Sequence, residues 1–189
     1  DHPDIVEFID SKQEEGKLSN FNLSVSITDE FMGAVVDDKD FDLIDNRLKE
    51  VDQTVKARDL FNKIVERLHN NGEPGIIFID TINNTNPLPE LGRIEATNPC
   101  SEQPLLPYES CNLGSINLVK FVTPKTEDKD AVFRWGDLAN IVKWSVRFLD
   151  CVISVNKLPF KEIEEATLRT RKIGLGVMGW ANALAKLEI

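Results

Sequence analysis

Residues 95–118 read EATNPCSEQPLLPYESCNLGSINL, and this stretch decides how the chain is understood. Three prolines and two of the chain's three cysteines crowd into it, without the steady period of an ordinary core segment. Pro99 fixes its own φ and drives Asn98 out of the α region, and Pro104 does the same to Gln103. An extended loop is therefore expected over 98–102. In an extended chain, residues i and i+2 point to the same side, so Asn98, Cys100 and Glu102 would converge on one ligand. They would offer it an amide, a thiol and a carboxylate. The competing reading of the pentapeptide is a buried structural cysteine in a solvated loop.

The flanks alternate between strand and helix patterns. Downstream, GSINLVKFV reads as a strand, GDLANIVKWSVRFLDCVISV and FKEIEEATLRTRK as amphipathic helices, and IGLGVMG as a strand entering a last helix. Upstream, GIIFID is a continuous apolar run read as a strand buried on both faces. It follows the helix of TVKARDLFNKIVERLHNNG, which carries its stop at Gly72. NFNLSVSIT alternates as a half-buried strand, with Phe21, Leu23, Val25 and Ile27 on one side. Thr28 then caps a short helix, DDKD makes a turn, and Pro3 opens a helix at the start of the chain. Alternating strands and helices give an α/β class with mainly parallel pairing. No repeat or linker divides the chain, so residues 1–189 are expected to be one domain. Both ends fall inside periodic runs, which suggests a piece of a longer protein.

Composition narrows the function. A formal charge of -10 speaks against nucleic acid or an anionic membrane as the main partner. No apolar run approaches the roughly 18 residues that a spanning helix needs. Three scattered cysteines make no disulfide framework and suit a reducing cytoplasm. With two distant histidines, His2 and His69, they match no zinc spacing, so no metal site is expected. His69 fits a helix end, and nothing brings it to Cys100 as an activating base. Cys151 sits among apolar neighbours on a helix and reads as core. Gly174, Gly176 and Gly179 match a dinucleotide-binding pattern letter for letter. The chain ends before the acid that such a site needs about 20 residues on, and close packing at a strand-to-helix junction explains the glycines equally well.

NPCSEQPLLPYESCNLGSINL closely resembles the active-site loop of the large catalytic subunit of ribonucleotide reductases, in the adenosylcobalamin-dependent (class II) form. HPDIVEFIDSK, NFNLSVSITDEFM, VKARDLFNKI, GEPGIIFID, SVRFLDCVISVNKLP and RKIGLGVMG resemble further blocks of that family in family order. Only the acidic stretches around Asp37 to Asp40 and Thr126 to Asp130 fall outside the resemblance. It implies part of a ten-stranded α/β barrel with a finger loop through its centre, residues 98–102 lying at the finger tip. It implies that Cys100 becomes the thiyl radical that takes hydrogen from C3′ of the ribose. Such a residue needs a rigid, water-shielded perch, and burial would keep it a neutral thiol. Glu102 would be the base on the 3′-OH, and Asn98 would orient the ribose hydroxyls. Cys111 would be one of the two thiols that end as a disulfide, its partner lying outside this chain.

The same resemblance implies adenosylcobalamin as cofactor, a ribonucleoside di- or triphosphate as substrate, and a thioredoxin-like or other dithiol as reductant. The remainder of the parent chain would be needed for turnover, so this segment alone is expected to be inactive. Exposed barrel edges would favour a homodimer of the isolated piece. Two alternatives stay open at this point. One is the large subunit of a class I reductase, which depends on a metal-bearing small subunit; the other is an α/β assembly module without chemistry.

Overall fold

The computed structural model describes residues 1–14 and 16–189, which fall into two compact units, Asp1–Leu106 and Pro107–Ile189. In the first unit α1 (Ile5–Asp10) leads to β1 (Ser24–Ile27) and α2 (Asp29–Val36). The cap of α2 is the expected one: Thr28 Oγ1 accepts the Phe31 N–H at 3.1 Å, and Asp29 and Glu30 occupy the positive first turn. After α2 come β2 (Asp40–Asp45), β3 (Glu50–Lys56) and α3 (Ala57–Asn71). Gly72 ends α3 at φ 83°, its N–H bonded to Leu68 O at 2.8 Å. That left-handed stop is the one glycine supplies without a Cβ penalty. The chain returns through β4 (Gly75–Phe78), which pairs in parallel with β1, Val25 opposite Ile76. α4 (Ile79–Asn84) follows, and β5 (Ala96–Thr97) pairs antiparallel with β6 (Pro104–Leu105). Ile9, Val25, Ile27, Phe31, Val35, Leu60 and Ile64 form the core of this unit.

Four expectations for this half need correction. DDKD is not only a turn: Asp40 begins an antiparallel hairpin, β2 against β3, with a bulge at Leu43/Ile44. Val55, expected on the α3 helix, lies in β3. GIIFID is a strand only as far as Phe78, after which Ile79 starts a helix, and β4 is half-buried. Of the apolar side chains expected on β1, Val25 and Ile27 are buried, whereas Phe21 precedes the strand and is exposed.

The second unit holds β7 (Asn112–Asn117), a 3-10 turn over Leu118–Phe121, β8 (Val122–Thr123) and β9 (Val132–Phe133). α5 (Trp135–Val155), α6 (Lys161–Thr170), β10 (Ile173–Met178) and α7 (Trp180–Leu187) complete it. β10 lies parallel to β7, Ile173 opposite Asn112 and Met178 opposite Asn117, while β8 and β9 form a short antiparallel pair. Leu149 and Ile153 are the buried residues of α5. Cys151 follows Leu149 by two residues, a rotation of about 200° that turns it to the opposite face. It is exposed rather than part of the core. The glycine pattern is a strand entering a helix, as expected. Gly179 caps α7 at φ 73°, where a Cβ would stand 2.7 Å from Asn117 Oδ1 and 2.9 Å from Val119 Cγ2.

Each unit thus contributes one parallel strand pair with helical crossovers, and its antiparallel pairs are local hairpins. The described residues do not close a barrel. No helix is long and apolar enough to cross a membrane among them.

Candidate active site

Asn98 to Gln103 close the β5–β6 hairpin as a tight turn. Asn98 O accepts the Ser101 N–H at 2.9 Å, a four-residue turn with Pro99 at its second position and Cys100 at its third. Across the base of the loop the Asn98 N–H donates to Gln103 O at 3.1 Å, and the Gln103 N–H donates to Asn98 Oδ1 at 2.9 Å. Thr97 Oγ1 adds a donor to Asn98 O at 2.9 Å. Ser101 takes the left-handed φ of 65° that brings the chain back.

The extended conformation expected for 98–102 is therefore replaced by a turn. Pro99 has a φ that suits either conformation, and the hydrogen bonds across the loop select the turn. The alternation of side chains does not apply inside it. Asn98, Cys100 and Glu102 still share one six-residue loop, but held by backbone closure. Asn98 is half-buried, with its Oδ1 occupied by Gln103 and its Nδ2 without a hydrogen-bond partner among the described residues. Cys100 and Glu102 are exposed. The shielding expected for Cys100 is absent from this unit, because the tip of a two-stranded hairpin has no neighbours on its outer side.

The turn is tied to the rest of its unit by Asn22, two residues ahead of β1. Asn22 Nδ2 donates to Pro99 O at 3.0 Å. The backbone beside Asn22 is itself fastened. Lys12 Nζ donates to Phe21 O and to Glu73, and Glu73 Oε1 accepts the Leu23 N–H at 3.0 Å. Asn71 joins this latch, donating from Nδ2 to Lys12 O at 2.7 Å. The hydrogen bond from Lys12, against opposing desolvation and with help from the Leu23 N–H, holds the Glu73 carboxyl below the usual range. A cleft of about 420 Å³ lies along the turn, lined by Phe21, Asn22, Ser24, Ser26, Asn98 and Pro99 among others.

Cys111 belongs to the second unit and is half-buried just ahead of β7. Its sequence neighbours are anchored at several points. Glu109 pairs with Lys172 at 2.6 Å, Ser110 Oγ lies 2.8 Å from Thr167 Oγ1, and Asn112 Nδ2 donates to Leu149 O at 3.0 Å. None of these anchors carries a signal in the sequence, since each pairs residues 37 to 63 positions apart. His69 is exposed in the last turn of α3, and His2 lies exposed near the start of the chain.

Comparison with known proteins identifies the family. The family model described as the ribonucleotide reductase barrel domain matches residues 1–189. A vitamin B12-dependent ribonucleoside-diphosphate reductase of Thermoplasma acidophilum is 51% identical over 190 residues, covering 100% of this chain and 24% of the relative. The protein of the same name from Mycobacterium tuberculosis (strain CDC 1551 / Oshkosh) is 49% identical over 189 residues, with 100% and 26% covered. A vitamin B12-dependent ribonucleotide reductase of Streptomyces avermitilis is 35% identical over 199 residues, with 93% and 20% covered. The chain thus spans about a quarter of the length of the first two relatives.

Proposed function

The chain belongs to the ribonucleotide reductases, as part of their barrel domain, and on that premise we propose that it carries the radical-bearing loop of an adenosylcobalamin-dependent enzyme that makes deoxyribonucleotides. The observation that carries the reading is the single closed turn holding Asn98, Cys100 and Glu102. In it Cys100 is the thiol that becomes a thiyl radical and removes the hydrogen atom from C3′ of the ribose. Glu102 accepts the 3′-OH proton, which helps the 2′-OH leave as water. Asn98 has its Nδ2 donor to offer the ribose hydroxyls while its Oδ1 holds the loop. Cys111 and a second thiol outside this chain supply two electrons and two protons and end as a disulfide. A thioredoxin-like or other dithiol restores them. The net change is ribonucleotide plus dithiol to deoxyribonucleotide, disulfide and water.

Adenosylcobalamin, when bound, supplies the radical that oxidises the thiol. The exposed thiol at the apex of the turn fits a radical source held by residues beyond this segment, and no side chain here is assigned to the corrin. The relatives named above support the cobalamin form over the class I alternative, since all three are called vitamin B12-dependent. The names of two of them favour a diphosphate substrate.

We take both units as parts of one barrel domain in a cytoplasmic enzyme, completed by the remainder of the parent chain. The open edges of the β1/β4 and β7/β10 pairs and the exposed Trp144 and Phe148 favour covering by that remainder. In the isolated segment a second copy would take its place, and light scattering that stays monomeric across a concentration series would contradict this. The reading as a whole is tested by ribonucleotide reduction with the full-length protein, adenosylcobalamin as the only radical source and a dithiol as reductant. Turnover that vanishes in Cys100→Ser supports it. Turnover indifferent to that change refutes it.

A further inference from the structure

The residues around Cys111 are fastened far more firmly than a strand entry requires. Glu109 Oε2 accepts from Lys172 Nζ at 2.6 Å, with the two side chains only 1% and 12% exposed. A pair so far out of water gives up about as much hydration as it gains in attraction, so it is a poor stabilising device. What such a pair does well is fix one geometry. Beside it, the Ser110 N–H donates to Thr167 Oγ1 at 3.3 Å, and the two hydroxyls lie 2.8 Å apart. Thr167 is itself buried, 3% exposed. On the other side of Cys111, Asn112 Nδ2 donates to Leu149 O, and Asn112 sits in register with Ile173. Asn112 Oδ1 is buried without a hydrogen-bond partner among the described residues, a cost accepted for the placement of its amide.

Residues two before, one before and one after Cys111 are thus bound to three different elements: the lead-in to β10, helix α6 and helix α5. A disulfide forms only when the two sulfurs meet within a narrow geometry, with Cα atoms about 4.4–6.8 Å apart. A redox thiol that must close a disulfide once per turnover gains from a backbone that does not wander. We propose that Glu109, Lys172 and Thr167 form a positioning clamp for Cys111, setting where its sulfur stands for thiol–disulfide exchange. The inference rests on the reading of Cys111 as a redox thiol. The clamp residues take no part in the electron transfer itself.

The test uses the full-length enzyme carrying Thr167→Val, Thr167→Ser, and the paired change Glu109→Gln with Lys172→Met, which removes both charges together. Two readouts are taken: kcat and KM with a dithiol reductant, and the alkylation rates of Cys111 and Cys100 by iodoacetamide, resolved by peptide mass spectrometry. Thr167→Val is expected to lower kcat about tenfold at unchanged KM, as the loss of one or two positioning hydrogen bonds would. It should change the Cys111 alkylation rate by at least about threefold and leave Cys100 alone. Thr167→Ser, which keeps the hydroxyl, should restore both. The paired variant should behave like Thr167→Val and carries the test if that protein does not fold. The clamp is refuted if Cys111 alkylation and kcat stay within about twofold of the parent in both variants, less than one positioning hydrogen bond would be worth. It is equally refuted if Cys100 and Cys111 change together, which would be general loosening. A Cys111→Ser control separates the two layers: full turnover there would overturn the redox reading, while the alkylation rates would still decide the clamp.

Discussion

Replacing Glu73 by alanine should loosen the strand that carries Asn22, and with it the anchor of the Cys100 turn. Glu73 accepts two hydrogen bonds, one from the Lys12 ammonium and one from the Leu23 N–H at 3.0 Å. The side chains of Lys12 and Glu73 are 12% and 26% exposed, so solvent replaces only part of what is lost. A charge-assisted bond and a backbone bond at such a site together contribute about 2 kcal/mol, after allowance for that partial exposure. This corresponds to roughly thirtyfold in a local opening equilibrium at 25 °C. Amide hydrogen exchange in the full chain reads it directly: the Leu23 N–H should lose about that factor of protection, while the core amides of α3 keep theirs. The effect has a pH signature. The Glu73 carboxyl is held below its ordinary range, so its contribution is complete above the unfolded-state pKa and disappears as pH falls through the folded value. The difference between parent and variant should therefore be full at neutral pH and vanish in acid below the usual glutamate range. Equal protection of Leu23 in both proteins at neutral pH would refute the latch, and a difference that persists unchanged in acid would refute its ionic origin.

Other changes have outcomes that the geometry fixes. Asn22→Ala removes the donor to Pro99 O and should cost about 1 kcal/mol locally, seen as faster exchange of the Ser101 N–H that closes the turn. Ile64→Ala empties a fully buried position of the first unit's core and should destabilise it by about 3 kcal/mol in a urea titration followed by far-ultraviolet circular dichroism. Gly179→Ala combines a left-handed φ with a Cβ 2.7 Å from Asn117 Oδ1, and should cost about 2 kcal/mol. Trp135, Trp144 and Trp180 all lie in the second unit, so tryptophan fluorescence during thermal unfolding reports that change.

The elements that the sequence revealed are those whose stops and caps are local. Thr28 capping α2, Gly72 ending α3 and Gly179 opening α7 each act on residues within one helical turn, so their spelling suffices. The β2–β3 hairpin was hidden for the opposite reason. Strand β3 reads EVDQTVK, exposed along nearly all its length, and an exposed edge strand shows no apolar alternation. Its turn is made by Asp45 Oδ1 accepting the Arg47 and Leu48 N–H groups at 2.7 and 3.2 Å, a signal that any aspartate could send. The turn at Cys100 is not legible in the sequence because the fixed φ of Pro99 suits an extended loop. The same fixed φ serves the second position of a tight turn, and only the bonds between Asn98 and Gln103 decide between the two. Resemblance to a family singled out the candidate residues Asn98, Cys100, Glu102 and Cys111, but the contacts that hold the neighbours of Cys111 lie far away in sequence.

Those contacts follow two different designs, and the difference has consequences. The Cys100 turn is closed almost entirely by its own atoms, with Asn98 serving as donor, acceptor and side-chain cap. Its shape is thus set within six residues, and distant substitutions reach it chiefly through Asn22. The residues on either side of Cys111 are held instead by Lys172, Thr167 and Leu149, dozens of residues downstream. On the proposed roles, a radical at Cys100 must stay on one sulfur while its surroundings change, which a self-closed turn permits. On the same proposal, a disulfide at Cys111 must form and open once per turnover, so its thiol profits from a perch whose stiffness is set by tertiary packing. Substitutions in α6 and at the entry to β10 should therefore slow the reoxidation and rereduction of Cys111 while leaving the local turn at Cys100 intact.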